Sequence, residues 1–111
     1  MTLTRDAVRD ARDQQLERVD VPEWGGHVYV RSMTGADRDE FDALAVRQEI
    51  RGMRVLVVER TACDEEGVRI FEDGDASWLA EKNAAVLERI FEAGCRVSGI
   101  GSSEVDRLEG N

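Results

Sequence analysis

The sequence predicts a small α+β domain with one N-terminal β-hairpin and three to five helices. Three observations carry this expectation. The chain has 111 residues, 41% of them apolar, enough for one hydrophobic core and a single domain over 1–111. Gly25-Gly26 separates two runs of alternating β-branched and polar residues, as a hairpin requires. Val86, Leu87, Ile90, Phe91, Gly94 and Val97 recur at steps of three and four, the period of an amphipathic helix.

Taken in order, Thr4 is a suitable N-cap, and Ala7, Val8 and Ala11 give a thin apolar face to a short N-terminal helix within 1–14. From Leu16 through Val19 and Val21 to Pro22, and again from His27 to Met33, the residues suit strands. Pro22 must fall at an edge or a strand end, because it cannot donate to the ladder. Thr34 stands three residues before Asp37, so a capping box with Asp37 in the usual Glu or Gln place starts the next helix. Phe41, Leu44, Ala45 and Gln48 form its stripe, and Gly52 is its expected break.

Residues 53–63 admit two readings. Val55-Leu56-Val57-Val58 is strand-like, whereas Ile50, Met53, Val57 and Thr61 repeat at helical spacing; the period favours helix. Asp64-Glu65-Glu66-Gly67 is a turn, and Val68, Ile70 and Phe71 form a short extended piece. Asp73 or Asp75 can cap a short helix carrying Trp78 and Leu79, and Asn83 caps the last one, which ends near Gly99 and Gly101. The polar tail 102–111 is expected to fray.

Charge narrows the function classes. Lys and Arg number 15 against 24 Asp and Glu, a net −9. The excess is uneven: 11 acids face 9 bases through Val58, and 13 face 6 from Glu59 onward. Without a basic cluster, nucleic acid and anionic membranes are poor partners. No apolar run exceeds four residues, the length of Val55 to Val58, which is far too short for a membrane span, and charge from Arg5 onward argues against a signal peptide. Cys63 and Cys95 have no metal-ligand spacing and read as buried thiols in a reducing compartment.

Catalytic and metal chemistry find little to work with. His27 is the single histidine and sits beside a turn glycine, where exposure accounts for it. The acids from Asp64 to Asp75 do not fit a calcium loop: counted from Asp64, Val68 takes a position that needs oxygen. Glu88 and Glu92, one turn apart, are ordinary for a wet helix face. P-loop, GxGxxG and GxSxG motifs are absent from the sequence. Accordingly no catalytic, cofactor-binding or metal residue is assigned, and no cofactor is expected. Trp24 and Trp78 are either plugs over a small core or binding anchors, and the domain's size favours plugs. Phe41, Phe71, Phe91 and Cys95 are read as core.

The order of these segments resembles a known family. The stretch from Val19 through Pro22-Glu23-Trp24-Gly25-Gly26-His27 to Gly35 resembles the start of the small tail assembly chaperones of long-tailed bacteriophages. The likeness continues through the acid-rich helix with Phe41, the turn before Ile70-Phe71, and Asp75, Leu79 and Leu87-Glu88-Arg89-Ile90-Phe91. It spans roughly Thr4 to Gly101, on motifs that are packing and turn residues. The resemblance implies a non-enzymatic chaperone in the host bacterial cytoplasm. Such a protein binds the tape-measure protein, keeps it soluble, helps recruit the major tail protein and leaves the finished virion; self-association is compatible with it. The competing class is an acidic interaction module, antitoxin-like or regulatory, that masks a basic partner. The sequence assigns no partner-binding residue under either reading.

Overall fold

In a computed structural model, which describes residues 1–101 together with Glu104 and Arg107, an antiparallel hairpin begins the folded body. Strand β1 (Leu16–Val21) pairs with β2 (Gly26–Arg31) in the register Val19↔Val28 and Val21↔Gly26. This register puts Val19, Val21, Val28 and Val30 on one face and Arg18, Asp20, His27 and Tyr29 on the other, as the pleat dictates. The connection is longer than a bare two-glycine turn. Pro22–Trp24 make one turn of 3-10 helix, closed by Gly25 at φ 82°, a left-handed conformation that glycine adopts without steric cost. Strand β2 stops before the expected Met33, whose N–H donates to the Ser98 hydroxyl.

The short helix α1 (Arg5–Asp10) forms with Thr4 accepting from Ala7 N, yet buries no residue. Its expected apolar face is therefore exposed. Helix α2 (Gly35–Val46) is capped by Thr34, which accepts from Asp37 N. Among the described residues, the reciprocal half of the capping box is not made. The Asp37 carboxylate instead accepts from Arg60 at 2.8 Å.

The break after α2 is at Gln48, not Gly52. Gln48 has φ 58°, and Gly52 lies inside helix α3 (Ile50–Thr61). The ambiguous stretch is thus helix through Thr61, followed by a two-residue strand β3 (Ala62–Cys63) that joins the sheet in the order β1-β2-β3. Packing explains why β-branched residues became helix. Val55 and Val58 face the sheet in one core cluster, while Met53 and Val57 meet Phe41 of α2 in a second. A helix sandwiched between two apolar surfaces needs apolar side chains on both sides, and burying them outweighs a propensity cost of a few tenths of a kcal/mol each.

Helix α4 (Ala76–Leu79) and helix α5 (Ala84–Val97) follow. Asn83 caps α5 through Val86 N. Val86, Leu87, Ile90 and Ala93 pack toward the sheet, and Phe91 and Cys95 toward α2. Helices α3 and α5 therefore form a middle layer between sheet and α2. They approach closely at Gly94, where a Cβ would come within 2.8 Å of Val57 Cγ1 and 2.9 Å of Thr61 Oγ1. The polar tail 102–111, expected to fray, lies outside the described residues except for Glu104 and Arg107.

Candidate interaction surface

Four residues are too few to hold a helix by local hydrogen bonds, so α4 must be fixed by the rest of the fold. Leu79 plugs it into the core with no exposed surface. Its first N–H, on Ala76, donates to Glu59 Oε2 at 2.8 Å. The cap thus comes from α3, seventeen residues away, and not from Asp73 or Asp75. Asp75 does sit at the N-cap position, but its carboxylate accepts from Glu72 N. Glu59 is 3% exposed, and its other oxygen accepts from Arg60 Nε at 3.1 Å. Arg60 also reaches Asp37 and Glu40 at 2.8 and 3.0 Å. This network compensates two buried carboxylates.

Held in this way, α4 presents Trp78 outward. Trp78 is 46% exposed and Trp24 36%, so neither tryptophan is the core plug that domain size favours. The 3-10 turn sets Trp24, and Glu23 anchors that turn to α5 by accepting from both Arg89 terminal nitrogens at 2.9 and 2.7 Å. The Arg89 hydrogen bonds lower the Glu23 pKa from 4.5 to about 2. Phe71 meets Trp78 edge to face, 5.8 Å between centroids. Lys82 Nζ lies over the Trp78 ring, 5.9 Å from its centroid. Trp24, Phe71, Trp78, Leu79 and Lys82 together line an open concavity of about 330 Å³. Its floor and walls are apolar, with a single cation at the rim.

The other residues weighed for chemistry do not converge. His27 is exposed and touches Tyr29 edge to face at 5.6 Å; among the described residues it hydrogen-bonds to neither Cys63 nor an acid. No group of three or more His, Cys, Asp or Glu among the described residues could hold a metal ion. Asp64 instead closes its turn by accepting from Glu66 N and Val68 N. Glu88 pairs with Arg54. Phe41 and Phe91 are core, as expected, while Phe71 is only half-buried because it forms one wall of the concavity. Cys63 and Cys95 are buried and not joined in a disulfide, and burial pushes the Cys63 pKa up. No described helix is long and apolar enough to cross a membrane.

Sequence reasoning singled out both tryptophans but not their convergence. It missed Glu59 and Lys82, whose roles arise from contacts between α3 and α4 and across the end of α4. The available signal was Lys82 four residues after Trp78, which a helical turn brings over the ring.

No family model and no curated protein matches the sequence. The fold is similar to that of the bacteriophage HK97 tail assembly chaperone, with a TM-score of 0.63 at 17% identity, covering 76% of this chain and 85% of that one.

Proposed function

We propose that this chain is a tail assembly chaperone that acts without catalysis: it binds the tape-measure protein in the host bacterial cytoplasm, keeps it soluble and helps bring in the major tail protein. The observation that carries the reading is the fold shared with the HK97 tail assembly chaperone. The tryptophan-lined concavity supplies a physical means, because a tape measure needs its apolar stripes covered until the tail grows around it. A net charge of −9 keeps many copies of such a cover from coalescing.

Co-expression with the cognate tape-measure protein tests the reading. The soluble fraction of the tape measure should rise, and the two proteins should co-purify. An unchanged soluble fraction with no complex on size exclusion would contradict it.

A further inference from the structure

We propose that the outer edge of β1 is self-complementary, able to pair with the same edge of a second copy of this chain, and that Arg89 and Glu23 hold that edge closed. The inference stands on the sheet alone and does not depend on the chaperone reading.

Strand β1 is the end strand in the order β1-β2-β3, so one side of it meets no other strand. Register decides which residues face that side. Gln15 O accepts from Ser32 N at 3.1 Å, and the unbroken pairing from Leu16↔Arg31 to Val21↔Gly26 carries the same alternation along the strand. Glu17, Val19 and Val21 therefore turn their backbone groups toward β2, while Leu16, Arg18 and Asp20 turn theirs outward. A row of outward N–H and C=O groups is a template for another strand.

The side chains make a second copy the fitting occupant. When two β1 strands pair antiparallel about Val19, Arg18 of each falls opposite Asp20 of the other. Each such pair exchanges two backbone hydrogen bonds and sets opposite charges face to face on the outer surface of the sheet. Arg18 and Asp20 are exposed there, and within one chain their side chains already pair at 3.0 Å. Pairing across two copies exchanges that contact for an equivalent one. Pro22 takes the place opposite Leu16 and has no N–H to give, so Arg18 and Asp20 carry the ladder.

That ladder needs the Asp20 carbonyl, which is already engaged. Arg89 Nη1 reaches round from α5 and donates to it at 3.2 Å. Glu23 accepts from Nη1 and Nη2 of the same guanidinium at 2.9 and 2.7 Å, a two-point fork that fixes its orientation. The guanidinium thus occupies the position from which Arg18 N–H of a second copy would donate. With Arg89 in place the edge is closed at the residue on which pairing depends.

Amide hydrogen exchange, read residue by residue in the full chain at dilute and at millimolar concentration, tests the proposal. In the unsubstituted chain the Arg18 and Asp20 amides should exchange at the same rate at both concentrations. In Arg89→Met they should slow about tenfold on concentration. Adding Asp20→Arg should abolish that slowing, and adding Arg18→Asp as well should restore it, because the two charges are then exchanged. If Arg89→Met fails to fold, Glu23→Gln carries the test: it leaves Arg89 present but loosened, and about threefold slowing is expected. Slowing in the unsubstituted chain would show that Arg89 closes nothing. A folded variant whose rates do not change with concentration, or slowing that survives Asp20→Arg, would show that the β1 edges do not pair in this register. Any of these results overturns the proposal.

Discussion

Gly94 lies where α3 and α5 approach most closely, and its missing side chain is what permits the approach. Adding one methyl would press on Val57 and on Thr61, whose hydroxyl is already committed to the Val57 carbonyl at 2.6 Å. Gly94→Ala should therefore destabilise the fold by about 1–3 kcal/mol in denaturant titration, despite alanine's better helix propensity. A gain in stability would mean the helices can move apart freely. Arg60 is the second residue on which much depends. Replacing it with methionine keeps the stem but removes the cation paired with Asp37 and the nearer of the two beside Glu59, carboxylates that are 8% and 3% exposed. A loss of about 3 kcal/mol is expected, and thermal melting would show whether α4 loosens with it. The caps at Thr4, Thr34 and Asn83 were readable from sequence because each is satisfied within three residues. Glu59 was not, because the N–H it caps belongs to another element.

At the scale of elements, local signals succeeded where the partner was local and failed where packing decided. The hairpin was legible from its glycines and alternation. The α2–α3 boundary was not: glycine is the usual breaker, yet the chain turns at Gln48 with φ 58° while Gly52 continues the helix. A non-glycine residue in that conformation costs about 1 kcal/mol. Gln48→Gly should therefore raise stability by up to about 1 kcal/mol, whereas Gln48→Val should lower it; the reverse order would place the strain elsewhere. Ion pairs also tie elements together. Glu23 and Arg89 join the turn to α5, and Glu17 and Arg96 join β1 to α5. Hydrogen bonds from Arg96 lower the Glu17 pKa, as those from Arg89 lower that of Glu23 to about 2. A depressed carboxylate contributes stability above its unfolded pKa and loses it as pH falls through the folded one. Acid titration followed by circular dichroism should accordingly show stability falling as pH drops from 4.5 towards 2. In Glu23→Gln that slope should be shallower, and an unchanged slope would mean the pair adds nothing.

Across the whole molecule, α3 and α5 divide two apolar clusters between the sheet and α2. That layering explains why so short a chain needs apolar residues on both sides of its middle helices. Composition and periodicity revealed the α+β class and most of the core, and both cysteines proved buried. The candidate surface was half legible. Trp24 and Trp78 stood out in the sequence, but fifty-four positions separate them, and only the fold shows that they share one concavity. Domain size argued for plugs, whereas the core is filled by valine, leucine, isoleucine and phenylalanine, which leaves the indoles at the surface. An exposed aromatic pair over an apolar floor is a surface suited to covering another chain. Light scattering from a purified tape-measure segment, with and without this protein, tests that claim most directly. The account expects aggregation to be suppressed at equimolar ratio by the unsubstituted chain and restored by the folded Trp24→Ala, Trp78→Ala double variant. Aggregation that proceeds undiminished at a large excess of the unsubstituted protein would contradict it.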